Sequence, residues 1–471
     1  MLYLNDQKLS PSAPSGRSIL EFIREEQQLK GTKLVCREGD CGACSVLLGS
    51  LQADGKLHYQ NITSCIAPLA NAYGKQIVTI EGLNLKNGRL NRIQQALKEA
   101  AATQCGFCTP GFVVALSNMA LQKAMGKDLS PKDALSGNIC RCTGYKSIER
   151  AAKQIFELLQ REKPDLQKLV QLELLPRYFL NMPQKLKELQ HQQSSNGQPS
   201  FQHTFVGGGT DLYVQQGEAL SLGEVSPLCS QSQLSGISVK NNTYHIGAAT
   251  TISQIREHPQ WQKDFPKLHE MLRLVASLPI RNMATLAGNF VNASPIGDMS
   301  IFFLALGARL QLLHLAQNKT REIPLEDFFL DYKKTALQKG ELIQSLSCPR
   351  PDAHTHFSFE KVSKRTYLDI ASVNSALKIC IKNQHITEAR LAIGGVKAIP
   401  LFCKKTSDFL KGKELCSKTL RQATEILQDE IAPISDVRGS ATYKRLLAQQ
   451  LFFAHFIKLF PETFKLKTLL A

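Results

Sequence analysis

At 471 residues the chain is longer than one ordinary domain, and 43% hydrophobic with 7% aromatic content suits several globular cores. No run nears the roughly 18 uninterrupted apolar residues of a membrane helix, and Met1–Asp6 carries no basic segment ahead of an apolar one, so neither a membrane span nor an export signal is expected. The formal charge is +17, but the lysines and arginines are dispersed and there is a single tryptophan, which argues for solvated basic faces and against nucleic acid.

In chain order, strand-like pieces at Leu2–Asn5, Ser45–Leu48 and Gln76–Ile80 surround a helix expected over Ser18–Gln28. Ser18 reads as its N-cap, Glu21 completes a capping box, and Ile19, Leu20 and Ile23 give an apolar face. Helical periodicity follows over Leu90–Ala102, Gly111–Ala124, Ser130–Ala134 and Ser147–Leu159, with Pro110 and Pro131 marking starts. Two polar stretches follow, 160–164 and 191–200, and the latter reads as a surface loop. From about 175 the pattern is mixed α/β. Phe205-Val206 leads into Gly207-Gly208-Gly209-Thr210-Asp211, a strand is expected at Tyr244–Ala249 with a helix from about Thr251, and 284–298 is rich in small and turn-forming residues. Beyond about 352, strands (Ala371–Ile381, Ile386–Ile393) alternate with helices (Leu420–Leu427, Ser440–Leu459).

Eight of the thirteen cysteines fall into two groups. The first is Cys36-x4-Cys41-x2-Cys44 with Cys65 beyond. That is the plant-type two-iron, two-sulfide spacing, and structural zinc would favour paired C-x2-C knuckles, of which only one occurs. Small residues in Gly39-Asp40-Cys41-Gly42-Ala43-Cys44 let backbone N–H groups approach sulfur. The second group, Cys105-x2-Cys108 with Cys140-x-Cys142, suits iron–sulfur or zinc by spacing alone. Grouped cysteines without an export signal favour metal ligation in a reducing compartment, and a cytoplasmic protein is expected. Eight ligand thiolates and two oxidised cores would bring the charge near ~+13. Cys229, Cys348, Cys380, Cys403 and Cys416 are scattered and read as free thiols; His354 and His356 read as a solvent-facing pair.

The strings Thr103–Gly111 (TQCGFCTPG) and Gly137–Tyr145 (GNICRCTGY), with the first cysteine group upstream, resemble the iron–sulfur part of the molybdenum hydroxylases, the xanthine dehydrogenase and aldehyde oxidase family. The resemblance implies an α+β multidomain chain: a β-grasp [2Fe–2S] ferredoxin domain (1–82), a four-helix [2Fe–2S] domain (83–162), a linker (163–200) entering an α/β FAD-binding domain (172–350), and an α+β C-terminal flavoprotein domain (354–465). It makes Cys36, Cys41, Cys44, Cys65, Cys105, Cys108, Cys140 and Cys142 the cluster ligands. It makes Val206, Gly207, Gly208, Gly209, Thr210, Asp211 and Leu212 a first FAD loop, and Thr285, Gly288, Asn289 and Asp298 part of a second. Ile343 and Lys361 join the cofactor-binding residues, Lys361 as a positive charge near the flavin ring; a surface lysine is the plainer alternative. Read physically, such glycine loops offer backbone N–H groups to a pyrophosphate, although no Rossmann fingerprint is present, since the third position is Leu212.

Gln104 and Cys142 are implied to face the pterin of a molybdenum cofactor on a partner. No stretch of this sequence is left for that molybdopterin-binding part, so a separate large subunit is expected, in a heterotetramer of two copies of each chain, with NAD+ as acceptor and no nucleic-acid or membrane partner. Family members often place an aromatic residue over the flavin where this chain has Val275, which leaves the acceptor, NAD+ or oxygen, open. No catalytic acid or base is assigned here, because the chain's expected work is positioning and tuning. The alternatives are the same role serving an aldehyde or N-heterocycle, a non-catalytic assembly partner, and a stand-alone ferredoxin reductase.

Overall fold

In the computed structural model, which describes residues 1–52, 54–192 and 202–470, the N-terminal strands close a mixed five-stranded sheet. Its order is Gln7–Leu9, Leu2–Leu4, Gln76–Val78, Ser45–Leu51, Leu57–Thr63. The central pair, Leu2–Leu4 with Gln76–Val78, is parallel and the rest antiparallel, the arrangement of a β-grasp. Ser18 caps the helix against it as expected, with the reciprocal Glu21 bond. The helix itself departs from expectation. Only Ile19–Glu21 is α, and Phe22–Glu26 widens to a π turn in which Gln27 N–H reaches Phe22 O, before Gln28 ends it at φ 55°.

The four expected helices form: Arg92–Glu99, Thr109–Ala124, Pro131–Ala134 and Lys146–Glu162. The third and fourth start where Pro131 and the turn before Lys146 put them, and Thr109–Ala124 is buried along nearly its whole length, as the central helix of the group. The last runs three residues into the polar stretch 160–164 and ends at Lys163 in a left-handed cap. The expected linker is instead helical, with Leu166–Gln171, a 3-10 turn Arg177–Asn181 and Met182–Gln192. Leu169, Leu174, Leu175 and Phe179 bury themselves in the helical core beside Phe112 and Leu116, which is why this segment folds back. The loop expected over 191–200 lies, from 193 onward, outside the described residues.

Packing divides the chain into two compact units: Met1–Ser230 with Ser277–Ala284, and Gln231–Ala276 with Thr285–Ala471. The first contains both cysteine groups and a short parallel pair, Thr204–Val206 with Val225–Pro227. The second contains an antiparallel sheet ordered Lys319–Pro324, Arg309–His314, Glu341–Pro349, Thr243–Gly247, Ile237–Lys240, and a four-stranded antiparallel sheet whose strands Thr355–Val362 and Val373–Lys382 carry the helix Ala441–Leu459. Thr251 caps the helix Ile252–Glu257 with Gln254 as its reciprocal partner. The region 284–298 is not a plain loop: Thr285 caps a helix, Leu286–Asn292, by accepting from Gly288 N–H, and Asp298 opens the helix Asp298–Leu306. His356 packs edge-on against Phe460 while His354 stays exposed, so the two do not make a solvent-facing pair. Among the described residues no helix is long and apolar enough to cross a membrane.

Candidate functional site

The loop from Cys36 to Cys44 turns tightly because three of its residues are left-handed, Arg37 at φ 57°, Gly39 at 76° and Gly42 at 67°. It brings the Cys36 and Cys41 sulfurs to 3.3 Å. Cys44 enters the strand Ser45–Leu51, and Cys65 lies in the 3-10 turn Ser64–Ile66; their sulfurs also stand 3.3 Å apart. Ser64 fixes that second pair, its hydroxyl donating to Cys44 O at 2.6 Å. Glu38 N–H points at Cys36 Sγ at 3.4 Å, the kind of backbone donation a cluster sulfur takes. Hydrogen bonds from the Cys41 and Cys65 thiols hold Cys36 far below the ordinary thiol range, and Cys41 is pushed up as its donor.

The second group uses helix ends. Cys108 is the N-cap position of Thr109–Ala124, and Gly106 at φ 79° turns the chain so that Cys105 comes round beside it. Cys140 and Cys142 occupy the turn before Lys146–Glu162. The Cys142 and Cys105 sulfurs lie 3.6 Å apart, and Cys108 bonds Cys140. Burial, with that bond, pushes the Cys108 thiol up to about 12. Burial works against ionising Cys140, but the Thr143 hydroxyl at 3.1 Å and nearby N–H groups bring it below the usual value. Tyr145, at φ 68°, places its hydroxyl to accept from Cys140 N–H at 3.1 Å. Ser64, Thr143 and Tyr145 were not picked out from the sequence; each lies within five residues of a cluster cysteine, and proximity was the only signal available.

All thirteen cysteines are free, and 3.3 Å is far beyond the ~2.05 Å of a disulfide. Among the described residues no three His, Cys, Asp or Glu side chains converge as about a single metal ion. The first four thiols link in the order Cys41, Cys36, Cys65, Cys44, and the second four as Cys105 with Cys142 and Cys108 with Cys140. Four thiols to a group is the number a two-iron core takes, two for each iron. Gln104 and Cys142, the residues expected to face a pterin, are both exposed.

The glycine loop lies in the first unit. Val206 ends a strand and is buried; Gly207 O accepts from Asn71 Nδ2 at 3.0 Å. A Cβ on Gly208 would collide with Met283 O, and one on Gly209, at φ 84°, with the carbonyl of Ile66, the neighbour of Cys65. Gly209 therefore presses the loop backbone against the ferredoxin fold and Gly208 against the 277–284 segment, a reason for their smallness that the sequence alone did not suggest. Thr210 is half-buried, Asp211 is exposed at the start of the helix Leu212–Ser221, and Leu212 packs toward the ferredoxin core.

In the second unit, Asn289 Oδ1 accepts from Ser300 N–H and hydroxyl at 3.0 and 3.1 Å, and a Cβ on Gly288 would meet the capping Thr285 hydroxyl at 2.9 Å. Ile343 is a core residue of the strand Glu341–Pro349. Lys361 is not a surface lysine. Its side chain is 2% exposed, and Nζ donates to Asp298 at 2.7 Å and to Leu274 O at 2.9 Å. Asn374 also donates to Asp298 at 2.6 Å. The lysine is thus half of a neutral pair that ties down the segment ending at Val275, not a lone positive charge.

Four family models match. A 2Fe-2S iron-sulfur cluster binding domain covers 2–70, a [2Fe-2S] binding domain 79–153, a FAD binding domain in molybdopterin dehydrogenase 177–351, and a CO dehydrogenase flavoprotein C-terminal domain 358–459. The chain carries two iron–sulfur binding domains, a FAD-binding domain of the molybdopterin dehydrogenase type and a C-terminal domain of the CO dehydrogenase flavoprotein type. Among curated relatives, xanthine dehydrogenase 1 of Arabidopsis thaliana is 26% identical over 97% of this chain, and xanthine dehydrogenase of Emericella nidulans 28% over 96%. The chain spans only 39% and 38% of their lengths. Among solved structures, quinoline 2-oxidoreductase from Pseudomonas putida 86 aligns with TM-score 0.50 at 25% identity, over 55% of this chain and 90% of that one. Carbon monoxide dehydrogenase from Hydrogenophaga pseudoflava gives 0.50 at 25%, over 53% and 86%.

Proposed function

We propose that this chain is the electron-transfer subunit of a xanthine dehydrogenase-type molybdenum hydroxylase, working with a larger molybdopterin-binding partner as two copies of each chain in the cytoplasm. The observation that carries it is the gathering of eight free thiols as two groups of four within one compact unit that also holds the glycine loop. When bound, two [2Fe–2S] clusters relay single electrons and FAD converts them to a two-electron transfer, to NAD+ in this reading. The chain's own residues hold and tune. Cys36, Cys41, Cys44 and Cys65 are assigned to one cluster, and Cys105, Cys108, Cys140 and Cys142 to the other. Thr143 and the Glu38 N–H adjust sulfur charge, while Ser64 holds the Cys44 backbone in place. Val206–Leu212, Thr285, Gly288, Asn289, Asp298, Ile343 and Lys361 are assigned to the flavin, with Lys361 acting through Asp298 and Leu274 O. Gln104 and Cys142, exposed, are assigned to the partner's pterin side.

The purine is the substrate favoured by the curated relatives. A second reading, the same role for a different oxidisable substrate, is favoured by the likeness to quinoline and carbon monoxide enzymes. Purification from the native source separates the readings. Recovery with a molybdenum-containing chain, FAD released on denaturation, and hypoxanthine- and xanthine-dependent NAD+ reduction are the expected results. Activity on an aldehyde or N-heterocycle instead would favour the second reading. A lone chain without flavin would sink both.

A further inference from the structure

Between the two cysteine groups the chain builds a close backbone junction. Cys41 O accepts a hydrogen bond from Ile139 N–H at 3.0 Å. Ile139 is peptide-bonded to Cys140, so one hydrogen bond joins the backbone of a thiol in the first group to the immediate neighbour of a thiol in the second. Beside it, Asn138 Nδ2 donates to Gly42 O at 3.1 Å, and Asn138 N–H closes a turn onto Leu135 O at 3.1 Å.

Three glycines make room for this. A Cβ on Gly42 would collide with Gly137 O and the Asn138 amide, one on Gly111 with Gly42 O, and one on Gly137 with the Pro279 ring. Asn138 is 7% exposed, and its Oδ1 is buried without a hydrogen-bond partner. A buried amide with its acceptor unmet is a destabilising choice at a junction where an apolar side chain would serve as glue. Its donor is what the junction uses.

Resting on the two-cluster reading above, we propose that Asn138 is a positioning residue for electron exchange between the clusters, holding the Cys41 O···H–N Ile139 bond closed as the shortest through-bond link. One electron crosses per event; one side is oxidised as the other is reduced, and no proton or co-reactant is involved. The bland role, domain glue, predicts altered stability and nothing else.

The test uses the purified holoprotein and Asn138→Asp, which keeps the shape and deletes the donor, alongside Asn138→Gln, which keeps an amide donor on a longer arm. Iron, labile sulfide, the reduction potential of each cluster, the rate of intercluster equilibration after flash reduction, and the magnetic splitting between the reduced clusters are measured. In Asn138→Asp, composition and potentials are expected to hold while the rate falls about tenfold, the lower range for losing an outer-shell partner at a metal site, and the splitting narrows. Asn138→Gln should recover part of the rate. An unchanged rate in Asn138→Asp overturns the proposal. If that variant loses iron, replacing the Ile139 amide by an ester, which removes the N–H itself, decides: a similar drop supports the link and an unchanged rate overturns it. Wild-type protein lacking iron and sulfide would remove the two-cluster reading instead, so the two failures are distinguishable.

Discussion

The two cysteine groups solve one chemical problem in opposite surroundings. The first sits in a loop and a 3-10 turn of a β-grasp, with Cys44 buried and no member exposed. The second sits at helix ends, with Cys140 buried but Cys105 and Cys142 exposed beside Gln104 and an exposed Phe107. Both use three left-handed residues, Arg37, Gly39 and Gly42 in the first and Gly106, Gly144 and Tyr145 in the second, but the loop encloses its thiols while the helix ends leave one side open. Solvent access and hydrogen bonds to sulfur tune a cluster, so two differently clothed sets of thiols suit two clusters of different potential.

The sharpest way to break this comparison is to remove one ligand at a time. Cys65→Ser should cut iron from about four to about two per chain and leave the helical-domain cluster's spectrum intact, with Cys105→Ser doing the reverse. Loss of all iron from either variant would mean that the groups are not independent. Next, a chelator under mild oxidation should strip the exposed set first, so iron release followed by absorbance should be biphasic, the slower half belonging to the ferredoxin domain. A single phase would contradict the difference in surroundings. Gly42→Ala and Gly55→Ala separate strain from collision, since both are left-handed but only Gly42 faces another backbone. Urea unfolding should show ~1 kcal/mol lost at Gly55, and about 1–3 kcal/mol more at Gly42.

The smallest effect lies away from both groups. His455 is fully buried against Ser375, and burial, with Lys458 nearby, pushes its ring down to about 3. The unfolded chain takes a proton near 6.5 that the folded one refuses. His455 therefore supports stability above pH 6.5 and loses that support as pH falls from there toward 3. Calorimetry between pH 7 and 5 should show a steeper drop in the C-terminal domain's midpoint for wild type than for His455→Gln.

Much of this was legible in the sequence where local chemistry decides. The capping pair at Ser18, the helix start near Thr251 and the proline-marked helix starts all stand where residue pattern put them. What was not legible depended on distant partners. The strand Leu57–Thr63 hides because its inward face includes Asn61, fully buried, whose carbonyl takes a bond from Asn282. The helix Leu286–Asn292 hides behind Gly288, a poor helix former held by the Thr285 cap. Lys361 looks like a surface residue until Asp298 is brought to it. The same holds for the junction at Asn138, where three glycines 26 to 95 residues apart matter only once the chain has folded.

Metal and acid-labile sulfide analysis of the purified chain tests the central claim most directly. About four irons and four sulfides per chain, in a brown protein, is the predicted result. Zinc in their place, with no sulfide, would contradict it.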